Sequence, residues 1–249
     1  MATYKTIKYI VPTEVVEHTD SINALADVDT STATPTEGQT IKWDGTNWVP
    51  ANIEPFVSGV QKAIFGFGYS NSYKNVTNLV SSTGVVATDT TGVGTARADL
   101  AASGYGGDKA IFGFGDVSGS ATNVTNLVSS SGVVASDTTG VGTARNNLAA
   151  AGYGGDKAIF GFGSNVDFYD NEENITNLVS NLGVVATDTT GVGMTRRQLA
   201  AAGYGGDKAI FGFGHDETFT GGVGDTNVTN LVSSSGVVAT DTTGVGTAR

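Results

Sequence analysis

Cysteine is absent from the 249-residue sequence, which excludes disulfide bonds, thiol nucleophiles and cysteine-based zinc sites. Histidine is scarce as well, because His18 and His215 are the only two and they lie in different kinds of segment. The sequence therefore offers few candidates for the histidine of a serine–histidine–aspartate catalytic triad. We expect a protein that is not an enzyme and that binds no cofactor and no metal ion.

Basic residues are few: 13 Lys and Arg stand against 24 Asp and Glu, for a formal net charge of -11. A nucleic-acid partner would require basic surface, so we expect none. Such a charge is typical of a soluble, self-repelling surface. No apolar run approaches the roughly 18 residues of a membrane span. The N-terminal sequence MATYKTIKYIVPTEVV lacks a long apolar core and a small-residue cleavage site, so we expect no signal peptide and no membrane insertion.

Glycine is abundant, with 36 residues, about twice its usual share of roughly 7%. Valine, isoleucine, phenylalanine and threonine fill the intervals between glycines. This pattern predicts many short strands joined by tight turns.

A repeat occupies most of the chain. The motif KAIFGFG begins at Lys62, Lys109, Lys157 and Lys208, so successive copies are 47, 48 and 51 residues apart. Each copy continues through TNLVS, GVVA and (T/S)DTTGVG to one arginine: Arg97, Arg145, Arg196 or Arg249. We place four repeats at about residues 53–97, 98–145, 146–196 and 197–249, after an N-terminal segment of residues 1–52.

Each repeat is predicted to contain four strands, with sequences such as LAAAGYGG, KAIFGFG, NVTNLVS and GVVAT. In the last KAIFGFG, alternation would place Ile210, Gly212 and Gly214 on one face, and Phe211 and Phe213 on the other. A Ser-Ser-Gly turn suits a hairpin between the third and fourth strands. The absence of helical periodicity favours an all-β array.

A four-stranded unit of about 45–50 residues is typical of a β-propeller blade. Small residues in LAAAGYGG suit an innermost strand, where backbones approach closely. The repeat resembles the kelch family in the order of its parts: Arg145, the inner strand 148–155, the apolar strand 158–163, the loop 164–173 and the outer strands 175–179 and 183–187. The resemblance implies a propeller, with a β-solenoid as the alternative. Kelch-like rings usually have six or seven blades, so either this ring is small or the natural protein continues beyond Arg249.

The N-terminal segment differs in composition from the repeats. Residues 4–11 alternate like a strand, residues 13–26 could form a short helix, and residues 27–40 form a polar linker. The sequence IKWDGTNWVPA predicts a β-hairpin with Trp43 and Trp48 opposite each other.

Residues 24–51, ADVDTS…PTEGQTIKWDGTNWVP, resemble segments of bacteriophage tail-fibre and appendage proteins, particularly those of marine and cyanobacterial phages. The resemblance implies a virion protein, made in the host cytoplasm, whose N-terminal segment, including Trp43 and Trp48, attaches to other tail or capsid proteins. The distal part would meet a glycan or protein of the host surface. We also expect a homo-oligomer. The alternatives are a purely structural decoration or connector protein and, less favoured, an enzyme on a propeller scaffold.

Several polar motifs recur once per repeat, and for each we favour a structural role. The aspartate of (T/S)DTTG could contribute to a calcium site, but a turn or a pair with the repeat arginine fits better. The arginine could bind an anion in a central channel, but a ladder to aspartate or carbonyl groups of the next repeat fits better. The Asn-X-Thr pattern matches a glycosylation acceptor, but is expected to order a turn. The motif GYGG is expected to serve backbone packing.

Four loops between KAIFGFG and N(V/I)TN differ in length and chemistry although the sequence around them is nearly copied. We call them the variable loops: residues 69–74, 116–122, 164–173 and 215–226. Their aromatic, acidic and amide residues suit binding to sugars, and the alternative is drift of solvent-exposed loops. The candidate receptor-binding residues are Phe168, Tyr169, Asp170, His215, Asp216 and Phe219. The same two long loops hold the densest carboxylates that a glycosidase could use: Asp170, Glu172, Glu173, Asp216 and Glu217.

Overall fold

A computed structural model describes residues 39–43, 46–52, 62–165, 171–217 and 224–249. All regular elements in these residues are β-strands, which confirms the all-β class. The described part of the chain contains no helix with the length and apolarity needed to cross a membrane. The chain divides into two compact units, Met1–Gly59 and Val60–Arg249. The predicted strand at 4–11 and helix at 13–26 lie outside the described residues.

The described residues of the first unit form an antiparallel pair of strands, β1 (Gln39–Trp43) and β2 (Trp48–Asn52). The register pairs Trp43 with Trp48, so the two tryptophans stand opposite each other as predicted. The predicted turn residues 44–45 lie outside the described part.

In the second unit each repeat forms its own antiparallel sheet. The first sheet pairs β3 (Ala63–Tyr69) with β4 (Tyr73–Val80). The second contains β5 (Ala101–Tyr105), β6 (Lys109–Gly113) and β7 (Thr125–Val128). The third contains β8 (Ala149–Tyr153), β9 (Lys157–Gly161) and β10 (Thr176–Val179). The fourth contains β11 (Ala200–Tyr204), β12 (Lys208–Gly212) and β13 (Thr229–Val232). In each three-stranded sheet the KAIFG strand lies in the middle.

The hydrophobic core lies between successive sheets. One buried cluster joins residues of the second and third repeats, including Ile111, Phe114 and Phe160. The next cluster joins the third and fourth repeats and includes Phe162 and Phe211. A single sheet of short strands has two apolar faces, and neighbouring repeats cover them.

The prediction of four strands per repeat is wrong, because the GVVAT segment makes only isolated bridges. In the second repeat these bridges join Val128 to Val134 and Thr125 to Thr138. Between the two bridges, β7 advances by three residues and the GVVAT side advances by four, so the pairing is irregular. Within this irregular stretch the side-chain amide of Asn126 donates a hydrogen bond to the Ala135 carbonyl at 3.0 Å. A buried side-chain amide thus replaces a regular ladder bond, and the segment stays beside β7 without becoming a strand.

The predicted alternation through KAIFGFG is also wrong at its second phenylalanine. In the second, third and fourth repeats the strand ends at the preceding glycine, whereas in the first repeat the strand continues and its pairing register shifts there. The second phenylalanines have φ angles of 64–65° in all four repeats: Phe67, Phe114, Phe162 and Phe213. A bulky residue in this left-handed region carries backbone strain, which persists only where the surroundings enforce it. Here the left-handed turn directs the phenylalanine ring into the contact between repeats.

Candidate functional site

The repeat arginines form a buried ladder between neighbouring repeats. Arg145 is fully buried, and its guanidinium lies 4.6 Å from the ring centroid of Phe114, which belongs to the same repeat. It donates through Nε to the carbonyl of Phe162 at 2.9 Å and through Nη2 to Asn177 Oδ1 at 2.6 Å, both in the next repeat. Burial lowers the pKa of Arg145 to about 10, and the charge of Asp188 opposes this effect, so the guanidinium is charged at neutral pH.

The repeat aspartates complete the same contact from the other side. Asp188 accepts hydrogen bonds from the backbone N and Oγ1 of Thr143 in the preceding repeat, the latter at 2.8 Å. Burial raises the pKa of Asp188, but the bonds donated by Asn177 and Thr143, with the charge of Arg145, outweigh burial and leave the pKa below its ordinary value. Asp188 is therefore held as a carboxylate.

Equivalent contacts join the other repeats. Arg97 donates to the Phe114 carbonyl at 2.9 Å, and Arg196 lies 3.7 Å from Asp241. The predicted ladder of arginine with aspartate and carbonyl groups of the next repeat is confirmed. Arg97, Arg145 and Arg196 are thus committed to the interior.

In the second, third and fourth repeats a phenylalanine inserts against a glycine of the preceding repeat. The ring of Phe160 packs on Phe114 with centroids 5.1 Å apart. A Cβ atom built on Gly113 would lie 2.8 Å from Phe160 Cζ, closer than side chains tolerate. The glycine therefore leaves the space that the next phenylalanine fills.

These contacts hold the variable loops on one edge of the array. Each middle strand begins after a Gly-Gly-Asp turn and ends at a variable loop, so turns and loops lie at opposite ends of the strands. The first described residues of the second, third and fourth loops form bridges with the residue that follows the repeat arginine: Ala98 with Asp116, Asn146 with Ser164, and Arg197 with His215. The strands thus fix both ends of each loop, and we call this edge the loop edge.

The first two variable loops touch through Tyr73. Its hydroxyl donates to Asp116 Oδ2 at 2.5 Å, and this bond raises the pKa of Tyr73. The ring of Tyr73 stands edge-on to Tyr69 at 5.2 Å, and Tyr69 is 65% exposed. An exposed aromatic face beside a carboxylate can stack on and hydrogen-bond to a sugar ring.

The third and fourth variable loops are joined by Arg197. It donates through Nε to Glu172 at 3.0 Å and through Nη2 to Glu217 at 2.6 Å. Glu172 is 2% exposed at its side chain and Arg197 15%. The two long loops are therefore neighbours, as the sequence predicted, and a partly buried ion pair holds their ends together.

His215 extends this network within the fourth loop. Its Nδ1 lies 2.9 Å from Asp225 Oδ1, and its Nε2 lies 3.1 Å from Glu217 Oε1. The bond to Asp225 raises the pKa of His215, burial opposes it, and Glu217 raises it further. Protonation of His215 therefore strengthens the closure of this loop.

The predicted binding residues have different placements. His215 lies at the loop edge with 22% of its side chain exposed, whereas Asp216 is 3% exposed and lies beneath the surface. Phe168, Tyr169, Asp170 and Phe219 lie outside the described residues.

Arg197 is the site residue that sequence reasoning missed. Alignment of the repeats could have identified it, because Arg197 stands at the position that Ala98 and Asn146 have in the two preceding repeats. An arginine added at the base of the two longest loops indicates a link between them.

A groove lies at the opposite ends of the strands. It has a volume of about 560 Å³ and is lined by the Tyr-Gly-Gly-Asp-Lys turns of three repeats. Each lysine pairs with the aspartate before it, as Lys157 does with Asp156 at 3.0 Å. The Gly106 and Gly154 amides donate to the Asp156 and Asp207 carbonyls of the next repeat, which confirms the predicted backbone packing. Local charge pairing leaves the groove less suited to ligand recognition than the loop edge.

The asparagine of Asn-X-Thr also has a structural contact. Asn123 donates to the Gly142 carbonyl at 2.6 Å, and the same bond recurs in the other repeats. This confirms its predicted role in ordering the chain. The described residues contain no cluster of three or more histidine, aspartate or glutamate side chains arranged to hold a metal ion. No protein-family model and no curated protein matches the sequence significantly.

Proposed function

We propose that this chain is a structural virion protein of a bacteriophage, a tail fibre or appendage, whose loop edge recognises the host surface. The observation that carries the proposal is that the variable loops stand together on one edge of a scaffold whose remaining sequence is nearly copied. A repeat scaffold that keeps its core while its loops differ is the usual arrangement of a binding surface. The phage assignment rests on the resemblance of residues 24–51, and the N-terminal segment is the attachment part.

The chemistry of the loop edge favours a glycan as the surface ligand. Tyr69 offers an exposed aromatic face, and Tyr73 and Asp116 stand beside it as a hydroxyl and a carboxylate. Arg197 and its two carboxylates add a second polar cluster at the base of the long loops. Aromatic stacking with a few placed hydrogen bonds is the common way to bind a neutral, hydroxyl-rich ring.

The finer fold that we propose is a kelch-like propeller. Each repeat forms its own sheet, whereas a β-solenoid would join equivalent strands of successive repeats by hydrogen bonds. The inner strands also approach closely: a Cβ atom on Gly203 would lie 3.4 Å from the Gly152 carbonyl oxygen. Both features support blades packed face to face around an axis.

The test replaces the third and fourth variable loops, residues 164–173 and 215–226, with short Gly-Ser turns. Adsorption of intact phage particles to host cells is then compared with that of particles carrying the unchanged protein. We expect normal incorporation and at least about tenfold slower adsorption, because binding energy is concentrated in few side chains. The matched control replaces the Ser-Ser-Ser-Gly turn at 233–236, which lies in the same repeat at the end of β13 opposite to the variable loop.

Unchanged adsorption by a folded, incorporated loop variant would favour the purely structural alternative of a decoration or connector protein. The enzyme alternative would draw on the same loops. However, Glu172 and Glu217 are both bound to Arg197, so these two carboxylates serve as loop anchors in the proposed arrangement.

A further inference from the structure

Three polar residues with a left-handed backbone lie side by side at the loop edge. Asp99, Asn147 and Gln198 have φ angles of 52°, 52° and 54°, and each is the second residue after a buried repeat arginine. The backbone amide of Asn147 donates to the Asp99 carbonyl at 2.9 Å, and that of Gln198 donates to the Asn147 carbonyl at 2.8 Å. Successive members therefore lie roughly 5 Å apart, the spacing of hydrogen-bonded neighbouring chains. We call these three residues the polar row.

The polar row runs along the bases of the second, third and fourth variable loops. The residue before each member forms a bridge with the first residue of one of these loops. Asp99 and Gln198 are exposed, and Asn147 is half-buried. Partial desolvation of its carboxyl group raises the pKa of Asp99, and the charge of Asp116 raises it further. The row thus begins close to the carboxylate that accepts from Tyr73, and it is continuous with the loop edge.

Other left-handed positions that the repeats share are occupied by glycine, with one exception that has a packing role. The last glycine of KAIFGFG, the glycine of GVVA and the last glycine of TTGVG are left-handed in all four copies. The exception is the second phenylalanine of KAIFGFG, whose ring contributes to the contact between repeats. Any residue other than glycine carries backbone strain in this conformation, and glutamine tolerates it less well than asparagine or aspartate. The polar row therefore keeps its side chains at a cost in stability.

No packing role accounts for these side chains. In the described part of the chain, the side chains of Asp99 and Gln198 form no hydrogen bond, and that of Asn147 donates to its chain neighbour Asn146 at 3.1 Å. The three residues also differ from one another, although the arginine and the leucine that flank them are the same in each copy. A position fixed by packing would carry one residue type. Different polar side chains, held in a strained backbone beside the variable loops, indicate recognition of a ligand.

We propose that the polar row is a hydrogen-bonding subsite for a hydroxyl-rich glycan and that its three side chains determine which sugar is bound. Asp99 offers acceptors only, whereas the amides of Asn147 and Gln198 offer donors and acceptors. Such groups in a line suit a saccharide chain that lies along the bases of the loops. A site built to hydrogen-bond hydroxyl groups rejects an analogue that lacks them, which gives the row a role in specificity. The inference rests on the proposed function, because it assigns residues of the same binding edge.

The test exploits the strained backbone. The triple variant of the full chain with Asp99→Gly, Asn147→Gly and Gln198→Gly, the glycine-row variant, removes the side chains and relieves the backbone, since glycine adopts a left-handed conformation freely. The urea midpoint should therefore stay equal or rise. Binding of the fluorescently labelled chain to host cells should weaken at least about tenfold. A lower midpoint with unchanged binding is the result of a purely structural role and would overturn the proposal.

The matched control replaces three exposed serines in the hairpin turns at the opposite ends of the strands. Ser82→Gly, Ser130→Gly and Ser234→Gly together should leave binding to host cells unchanged. Host cells treated with periodate, which oxidises vicinal diols of glycans, should bind the wild-type chain as weakly as untreated cells bind the glycine-row variant. Undiminished binding to treated cells would overturn the assignment of a glycan.

The chain with Gly-Ser turns at 164–173 and 215–226 is measured in parallel, so that the two proposals can fail separately. Lost binding by that chain with full binding by the glycine-row variant would overturn the polar row and leave the proposed function standing. Full binding by both variants, or no binding by the wild-type chain, would overturn both proposals.

Discussion

Gly113→Ala isolates the contact between repeats in a single methyl group. The new Cβ would lie 2.8, 3.1 and 3.2 Å from three atoms of the Phe160 ring. That ring is fully buried and packs at a tilt against Phe114, so it cannot move aside without disturbing the core. Overpacking of this kind costs about 1–3 kcal/mol of unfolding free energy. The gain of about 0.4–1 kcal/mol from removing a flexible glycine offsets part of this cost, so we expect a net loss of about 1–2 kcal/mol of unfolding free energy.

Gly212→Ala is the matched control, because the same motif there has no following repeat. Its new Cβ meets Thr229 Cγ2 at 3.1 Å and no ring. The cost of the close contact with Thr229 and the stabilisation from replacing a flexible glycine should nearly cancel. The free energy of unfolding should therefore change by less than about 0.5 kcal/mol.

Urea unfolding followed by far-UV circular dichroism is the assay. With an m value of about 2 kcal/mol per M, Gly113→Ala should lower the urea midpoint by about 0.5–1 M, and Gly212→Ala should change it by less than about 0.3 M. Equal shifts for the two variants would refute the argument that glycine makes room for the next phenylalanine.

Three further predictions concern the ladder, the loop edge and the N-terminal segment. Arg145→Ala should cost about 3–5 kcal/mol in urea unfolding because it leaves buried partners unpaired, whereas Arg249→Ala should cost under about 1 kcal/mol; similar costs would contradict the ladder. The raised pKa of His215 stabilises the fold fully below its ordinary value of 6.5, and the effect is lost as pH rises through the raised pKa. His215→Gln should therefore lower Tm most near pH 6 and less toward pH 9, and a difference independent of pH would contradict this. A truncated chain of residues 53–249 should fail to assemble onto particles lacking the native protein, and its assembly would contradict the attachment role.

Repetition made the sequence informative about the scaffold. The spacing of KAIFGFG and the single arginine and aspartate of each copy predicted an all-β array held by arginine contacts between repeats. The pairing of Trp43 with Trp48 followed from the alternation around Asp-Gly. These features depend on local pattern and on charge, which are both visible in a sequence.

The irregular backbone could not be predicted in the same way. A strand pattern gives no sign that Phe114 has a φ of 64°, because the ring contact that enforces this conformation lies in the next repeat. Nor does GVVAT reveal that the Asn126 amide takes the place of a ladder bond. At the loop edge, the sequence indicated which segments vary, but the link through Arg197 depends on the distance between two loops.

Competition for the host surface tests the central claim most directly. Purified chain is added to host cells before phage particles, and the rate of particle adsorption is measured against chain concentration. We predict that the unchanged chain slows adsorption in a saturable way, whereas the chain with Gly-Ser turns at 164–173 and 215–226 does not. A folded wild-type chain that leaves adsorption unaffected, or equal inhibition by both chains, would contradict recognition through the loop edge.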